Sequence, residues 1–441
     1  MNLGGWDVVS SIRLEHLNRA LTAEVAGKPF SAKEDGSHLR GLIKSWVLAA
    51  PKGATCLSVA VDRGEVFVEG IGLFPLAGMV VSFPVDFDHL AATPSRVEDI
   101  LKLKFEAYGI GPGDGTDLVV NWDCKELARL NNSRTEQTVR LVAGALTVNA
   151  MLADSTMAGA PIAVLMRKGS VHADWYRPKH VSFALSTLQN GQSFASILVS
   201  VQDVRPVGLP AQPPAELHAG EMNMALARSL FFRHVMVPSV KQKLGTQAKF
   251  YTFEDLAASP LLGQAFRAAG LDTKLGFYYA DLPLGTTLGG AFQALSTILP
   301  VGAPPVVNLQ IRVVSATAVW DQERINTDLK GECALGGWGS LGWFEFEGAP
   351  VMQLGFDAAA QKLTLTLTSN PLAAGHKKGL AVLDFIGGEP SFDTGHMAAA
   401  VCGLRDFPPP ASYAFEWAGV KQAVFDRADF HDDVFFSGRV S

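Results

Sequence analysis

The chain has 441 residues, of which 48% are hydrophobic and 18% are charged. This composition is typical of an ordered protein with a large apolar interior, and the length predicts two modules. The formal net charge of −6, without any run of lysine or arginine, argues against a nucleic-acid-binding protein. The longest apolar stretch, 71–85, is interrupted by glycine and proline, so we expect no transmembrane segment, only transient contact with a membrane surface at most.

The sequence opens without the basic and apolar regions of a secretory signal. We therefore expect a cytoplasmic protein, with leaderless export as the alternative. The four cysteines lie at 56, 124, 333 and 402 and are not arranged at metal-ligand spacing. They predict reduced thiols, no metal site and no cofactor.

The first elements are a strand followed at once by a helix. Residues 8–14 alternate at a period of two, which predicts a half-buried strand. Leu14, Leu17 and Leu21 then recur at helical spacing. They predict a short amphipathic helix that follows the strand directly.

Alternating runs dominate the rest of the chain. The runs 57–61 and 65–68 flank Asp62-Arg63-Gly64, and a second pair surrounds Asn190-Gly191; both predict hairpins. Two further runs with the same period cover 307–313 and 363–368. Strands that are apolar on one face and polar on the other predict antiparallel sheets with one solvated face.

Helical patterns are fewer. Short helices are predicted at 96–105 and 126–130, a long one at 220–237 and another at 256–269. In the long helix, Met222, Leu226 and Leu230 are spaced by four, Phe231 adds a flank, and Pro238 is expected to end or bend it.

A proline-rich segment, 206–214, contains four prolines and divides the chain nearly in half. It predicts a junction between an N-terminal module, 1–205, and a C-terminal module, 215–441.

Residues that could carry chemistry are sparse. Two histidines lie close to aspartates in sequence, His396 near Asp393 and His431 next to Asp432. Polar turns are the favoured interpretation, with a His–Asp dyad as the alternative. The glycine-rich segment 109–115 lacks the lysine of a phosphate-binding loop. We expect no catalytic residues.

Two stretches resemble a known family. Gly5-Trp6-Asp7-Val8-Val9 leads into a helix with the element Asn18-Arg19-Ala20, and residues 229–238 carry a Leu/Phe pair and end in a Val-Pro step. This sequence resembles the clostridial forty-seven-kilodalton neurotoxin-cluster proteins and their OrfX relatives, and the chain mass of 47.0 kDa agrees. The first stretch is the more specific of the two.

The resemblance implies an α+β fold, rich in β-structure, in the tubular lipid-binding (TULIP) superfamily. In that fold, long curved antiparallel sheets wrap around long amphipathic helices, here in an elongated body of two modules. The superfamily contains lipid carriers, and some relatives of this family bind phosphoinositides. The family offers no catalytic residues that could be carried over to this chain.

The leading prediction is therefore non-catalytic binding of a lipid or another elongated hydrophobic ligand in a tubular apolar groove. The residues expected to line it are Leu14, Leu17 and Leu21 in the first module, and Met222, Leu226, Leu230 and Phe231 in the second. The alternative is an interaction or scaffold protein with a filled core, which assists a toxin or biosynthetic assembly encoded nearby. The third hypothesis is an enzyme that acts on a hydrophobic substrate through one of the His–Asp pairs. Fold analogy alone does not decide among them.

Overall fold

A computed structural model provides the structure of the chain. It describes residues 3–50, 54–93, 98–110, 117–130, 132–166, 177–188, 190–203, 205–206, 220–246, 248–259, 264, 267, 274–286, 308–336, 343–369, 372–378, 416–420 and 423–440.

The chain divides into two compact units. The first contains Met1–Leu226, Ala411–Asp426 and Phe435–Ser441, and the second contains Ala227–Pro410 and Arg427–Val434. The C-terminal part of the chain is thus shared between the units, whereas the sequence predicts one C-terminal module at 215–441. Most of the proposed junction, 206–214, lies outside the described residues.

The first unit is built largely from the N-terminal half of the chain. Its elements there are β1 Val8–Arg13, α1 Leu14–Val25, β2 Pro29–Glu34, β3 Ser37–Ala49, β4 Cys56–Val68, β5 Gly72–Pro75, β6 Val80–Pro84, β7 Asp86–Leu90, β8 Glu98–Lys104, β9 Val119–Asn121, α2 Lys125–Ala128, α3 Ser133–Ala153, α4 Ser155–Ala158, β10 Pro161–Met166, β11 His180–Thr187, β12 Ser193–Ser200 and β13 Met222–Leu226.

The elements that follow in the chain are α5 Arg228–Phe231, a π-helical turn Phe232–Met236, α6 Val237–Leu244, β14 Lys249–Thr252, α7 Phe253–Ala257, β15 Gly276–Thr286, β16 Asn308–Asp321, β17 Arg324–Gly336, β18 Trp343–Gly348, β19 Val351–Asp357, β20 Lys362–Ser369, β21 Leu372–Lys378, β22 Glu416–Trp417, β23 Ala423–Asp429 and β24 Val434–Val440. The second unit contains an eight-stranded antiparallel sheet, in which β14 to β18 pair in chain order, β21 joins β18, and the β19–β20 hairpin pairs with β17.

Three sheets form the frame of the first unit. Their strand orders are β11-β12-β1-β13-β24-β23, β22-β10-β8-β7 and β2-β3-β4-β6-β9, with β5 paired to β4. Helix α3 packs on β2, β3, β4 and β9, and α1 packs on β3 and β12. The prediction of an α+β fold, rich in antiparallel sheet, is confirmed.

Strand β1 is a central strand, with β12 on one side and β13 on the other. It is therefore buried on both faces, and not half-buried as its alternation predicts. Its polar side chains have partners: the Ser11 hydroxyl lies 2.8 Å from that of Ser196, and the indole nitrogen of Trp417 donates to Ser10 Oγ at 3.2 Å.

Asp7, in the Gly-Trp-Asp element, is buried just before β1. Its carboxylate accepts hydrogen bonds from Ser200 Oγ at 3.0 Å, from the backbone N–H of Val201 at 2.8 Å and from Gln202 Nε2 at 3.1 Å. A buried carboxylate needs such donors. The three hydrogen bonds in turn fix the chain where it leaves β12.

Two predicted elements have a different structure. Residues 96–105 were predicted to be helical, but Glu98–Lys104 form β8, which pairs with β7 and β10. The hairpin predicted around Asp62-Arg63-Gly64 is one continuous strand, β4. Gly64 pairs with Gly41 of β3 near a register shift. It has φ of +154°, and a Cβ atom on it would lie 2.3 Å from the carbonyl oxygen of Arg40. The glycine therefore lets the paired strands β3 and β4 approach closely, and no turn forms.

The helix predicted at 220–237 is wrong in its first half. Met222 and Leu226 lie in β13 and pair with Ile12 and Val8 of β1. A spacing of four fits a period of two as well as a helical period, so the spacing alone does not separate them. Helix begins only at Arg228, and Pro238 stands in the first turn of α6, where a missing N–H is tolerated.

Candidate functional site

Helix α1 presents different side chains to three environments. Leu17, Leu21 and Val25 are buried in the core, with exposed fractions of 0 to 2%. Gly27, at φ of +77°, follows the helix, and a left-handed glycine at this position is a common helix terminator. The remaining two faces of α1 carry polar and small residues.

The second face binds strand β3 through side chains. The Asn18 amide accepts from the backbone N–H of Leu48 at 2.8 Å and donates to its carbonyl at 3.1 Å. One turn later, the Thr22 hydroxyl donates to the carbonyl of Trp46 at 2.9 Å and accepts from its N–H at 3.3 Å. These bonds fix α1 on β3 and hold Trp46 beside it.

A cavity of about 760 Å³ in the first unit is lined by the third face of α1 and by Leu21 and Val25 from the edge of the buried face. The remaining walls come from Trp46 of β3, the start of β10, and residues 418–420 after β22. The lining residues are His16, Arg19, Ala20, Leu21, Ala23, Glu24, Val25, Trp46, Ala160, Pro161, Glu221, Ala418, Gly419, Val420 and Val440. Most of them are apolar, and we call this space the α1 cavity.

The charged residues of the α1 cavity are mostly paired. Glu221 Oε2 accepts from the backbone N–H of Val440 at 3.1 Å. Glu221 Oε1 lies 3.5 Å from His16 Nε2, which is buried and makes no hydrogen bond among the described residues. Lys28 Nζ lies 3.1 Å from Glu24 Oε1. Among the described residues, Arg19 has no carboxylate in ion-pair distance. Arg19 is thus the cation of the cavity wall that has no ion-pair partner among the described residues.

Trp46 is the largest side chain of the lining. It has an exposed fraction of 0%, and its indole nitrogen is buried without an acceptor in hydrogen-bond distance among the described residues. A buried donor without a partner costs about 1 to 3 kcal/mol. One residue of the cavity wall therefore carries a buried hydrogen-bond donor without a partner among the described residues.

Residues 418–420 approach α1 closely. Gly419 has φ of +72°, and a Cβ atom on it would lie 2.4 Å from the Cβ atom of Ala20. Only a glycine opposite a small residue fits this contact. The Asn18-Arg19-Ala20 element thus supplies a bond to β3, a residue of the cavity wall and the surface on which Gly419 packs.

A second, more open cavity of about 920 Å³ lies between β2, the bulged segments of β3 and β4, and the end of α3. Phe30, Leu42 and Met157 contribute apolar surface, and Arg63 contributes a charge. Arg40, also in this wall, is paired with Glu65 at 2.6 Å. We call it the α3 cavity.

The first three predicted groove residues all belong to α1. Leu21 lines the α1 cavity, Leu17 is buried in the core beside it, and Leu14 is half-buried at the start of the helix. Their assignment to a ligand groove stays a prediction.

The other four predicted groove residues do not share one helix. Met222 and Leu226 are buried in β13 of the first unit, whereas Leu230 and Phe231 are buried in α5 of the second. The Phe231 ring packs edge-on against Trp320 with 5.6 Å between ring centroids. A helical seam formed by these four side chains, as the spacing suggests, is therefore absent from the described residues.

The structure pairs His431 with a different aspartate from the one the sequence suggests. His431 Nδ1 lies 3.3 Å from Asp429 Oδ1, and the His431 side chain is exposed. Asp393 and His396 lie outside the described residues. An enzymatic role therefore rests on the sequence alone.

Within the part of the chain that the structure describes, no helix is long and apolar enough to span a lipid bilayer, and no group of three metal-ligating side chains occurs. Cys56 and Cys124 are free thiols, and burial raises the pKa of both.

The fold has clear relatives among solved structures. P47 from Clostridium botulinum A2 superposes with a TM-score of 0.64 at 14% identity, over 100% of this chain and 98% of that chain. P47 of Clostridium botulinum E1 gives 0.65 at 13% identity, over 99% of each chain. A lipopolysaccharide binding protein gives a TM-score of only 0.27 at 11% identity, too low to indicate a shared fold. No family model and no curated protein matches the sequence.

These comparisons identify the fold class. The chain has the fold of the P47 proteins along its whole length, and the resemblance predicted from Gly5-Trp6-Asp7 and Asn18-Arg19-Ala20 is confirmed at the level of the fold. Similarity at this identity shows the fold and carries no residue's role with it. The tubular lipid-binding interpretation stays a prediction.

The residues that the sequence analysis missed are those that give the α1 cavity its polar groups. Trp46, His16 and Glu221 lie far apart in the chain or on positions without a motif. The sequence did contain a signal for the packing of α1. Asn18 and Thr22 are spaced by four, which indicates a helix face that hydrogen-bonds to a neighbouring backbone.

Proposed function

We propose that this protein binds a hydrophobic ligand, without catalysis, in the α1 cavity. The observation that carries the proposal is a cavity of about 760 Å³ in which eleven of the fifteen lining residues are apolar or glycine, and His16, Arg19, Glu24 and Glu221 supply polar groups. Small-molecule sites are concave, mostly apolar and roughly 300–1,000 Å³ in volume, with a few polar groups that orient the ligand.

The site proposed here differs from the groove predicted from the sequence. It uses Leu21 from the original set and adds Val25, Trp46 and residues 418–420. Aliphatic and aromatic side chains bind hydrocarbon through the hydrophobic effect, at about 25 cal/mol for each Å² of apolar surface removed from water. Such a lining selects for apolarity more than for a particular shape.

The test fills each cavity in turn. Ala23 on α1 and Ala153 on α3 are both exposed helical alanines, one in the wall of each cavity. We expect A23F to reduce the bound lipid at least tenfold and A153F to leave it unchanged, because only the first side chain enters the proposed site. The measurement is native mass spectrometry after incubation with a total lipid extract, with circular dichroism to confirm that each variant is folded.

Two results would contradict the proposal. A wild-type protein that retains no lipid under these conditions has no such function. Loss of binding in A153F with normal binding in A23F would move the site to the α3 cavity.

A filled core favours the second hypothesis, an interaction or scaffold protein. Trp46, Trp417, Phe194 and Phe83 are fully buried in the first unit, so much of its interior is occupied by side chains. A bare protein mass after lipid incubation, together with stable capture of one protein encoded nearby, would support this alternative.

A further inference from the structure

We infer that the ligand of the α1 cavity carries a carbonyl oxygen, which accepts a hydrogen bond from the indole N–H of Trp46. This inference rests on the proposed function and adds the chemical class of the ligand. That class is an aliphatic chain ending in a carboxyl or ester group.

The indole N–H of Trp46 has no hydrogen-bond acceptor in the part of the free protein that the structure describes. Trp46 lines the cavity, and its indole nitrogen is buried with no acceptor in reach among the described residues. The backbone N–H and carbonyl of Trp46 are bonded to Thr22, which holds this part of β3 on α1. The indole donor thus belongs to a residue of the cavity wall that is held in place by its backbone.

The ligand must supply a hydrogen-bond acceptor for the indole N–H of Trp46. An indole nitrogen only donates, so its partner must be an acceptor, and a hydrocarbon offers none. A carbonyl oxygen at the end of an apolar chain satisfies the donor while the chain lies along apolar lining residues such as Ala20, Val420 and Val440. The nitrogen is closed to water in this structure, so the inferred hydrogen bond requires the side chains that cover it to move aside.

The acceptor oxygen can belong to a carboxylate or to an ester, and Arg19 distinguishes the two. A carboxylate also pairs with Arg19, the cavity cation without an ion-pair partner among the described residues, whereas an ester does not. Tighter binding of the acid that disappears in R19Q identifies a free acid. Equal binding of acid and ester identifies a neutral carbonyl compound.

The experiment measures the binding of decane, methyl nonanoate and nonanoic acid to the full chain by equilibrium dialysis with gas chromatography. The three probes have similar chains and differ in the acceptor. In W46F we expect the affinity for each carbonyl compound, relative to that for decane, to fall about fivefold, the effect of losing one hydrogen bond. Normalisation to decane removes the effect of the smaller ring.

The matched control is W122F. The indole nitrogen of Trp122 is also buried without an acceptor among the described residues, but Trp122 does not line the cavity. We expect the ratio to be unchanged in W122F. An unchanged ratio in W46F, with normal binding of all three compounds, overturns the inference and leaves the proposed function intact. Failure of the wild type to bind any of them overturns both.

A second measurement needs no variant that removes the ring. The chain has 8 tryptophans, so the indole region of a ¹H–¹⁵N spectrum contains few signals. One indole proton should shift downfield with methyl nonanoate and stay in place with decane, because only the ester accepts a hydrogen bond. Identical spectra with the two ligands contradict the inference.

Discussion

The side-chain amide of Asn18 takes the place of a strand partner for Leu48. Its oxygen and nitrogen bind the N–H and carbonyl of one residue, as a neighbouring strand would. Leu48 is buried, with an exposed fraction of 1%, so water cannot easily replace these bonds. A single helical side chain therefore satisfies backbone groups that would otherwise be stranded.

Replacing this amide should destabilise the first unit. We expect N18A to lower the free energy of unfolding by about 2 to 3 kcal/mol, because it leaves a buried donor and acceptor without partners. Urea denaturation followed by circular dichroism measures the change. N190A is the control, since the Asn190 amide bonds within an exposed turn. Equal stability of the two variants would show that water replaces Asn18.

At the scale of elements, the contact between α1 and residues 418–420 forms one wall of the α1 cavity. Gly419 combines a left-handed backbone with close contact to Ala20. Gly78 has nearly the same conformation, with φ of +79°, but nothing lies within 4 Å of the Cβ position. The pair separates the cost of the backbone conformation from the cost of the contact.

We expect G78A to cost about 1 to 2 kcal/mol, the penalty for a left-handed alanine. G419A should cost about 1 to 3 kcal/mol more, because the added methyl group clashes with Ala20. Thermal or urea unfolding of both variants gives the difference, and A20G in the G419A background should recover part of it. Equal losses in G78A and G419A would mean that the loop moves away without cost.

The elements that the sequence predicts well are those whose pattern has only one explanation. Strand β20 alternates leucine with threonine, and α1 follows β1 directly, as predicted. Strand β13 was mistaken for helix because its apolar residues fit both periods. Helix α3 was not predicted. Its buried positions include Val142, Ala143, Gly144, Ala145 and Leu146 in succession, and a helix buried on most sides has no amphipathic pattern.

The candidate site was harder to predict than the fold. Its walls come from segments near positions 20, 46, 160, 221 and 419, which only the strand order brings together. Gly419 and Trp46 have ordinary sequence surroundings, and their roles depend on what lies opposite. Sequence periodicity reports which face of an element is buried and does not report its neighbour.

In the second unit, helix α5 is held at its start by a carboxylate. Asp433 Oδ1 accepts from the backbone N–H of Arg228 at 3.0 Å, and the Arg228 guanidinium stacks on Trp320, 4.6 Å from the ring centroid. Arg228 also donates to the carbonyl of Trp320 at 2.8 Å. Burial raises the pKa of the Asp433 carboxyl above its usual value of 3.8, against the effect of this hydrogen bond.

The raised pKa gives a prediction with a definite sign. The fold favours the protonated carboxyl, so this contribution to stability is present at low pH and is lost as the pH rises through the raised pKa. The unfolding free energy of the wild type should therefore fall relative to that of D433N as the pH rises above the usual carboxyl pKa of 3.8. Urea unfolding at a series of pH values measures it, with D62N, which alters an exposed aspartate, as the baseline. A difference that rises with pH would contradict the burial argument.

For the molecule as a whole, the important feature is that the first unit is completed by the C-terminal part of the chain. Strand β22 pairs with β10, and β24 lies next to β13 in the sheet that contains β1. Trp417 of β22 has an exposed fraction of 2%, and its indole nitrogen reaches Ser10 in the central strand. The N-terminal sequence therefore supplies most of the unit and lacks part of its core.

A fragment of residues 1–226 should consequently fail to unfold cooperatively, because it lacks Trp417 and the strands β22 and β24, which pair with β10 and β13. Adding a peptide of residues 411–441 should restore a cooperative urea transition and the near-ultraviolet circular dichroism of packed aromatic rings. The same peptide with W417A should bind at least 100-fold more weakly, since loss of a buried tryptophan costs about 3 to 5 kcal/mol. If the fragment alone gives a cooperative transition with native-like aromatic signals, its core does not need the C-terminal strands. The return of the chain would then serve to complete the wall of the α1 cavity at Gly419, and lipid binding would depend on the peptide even though folding did not.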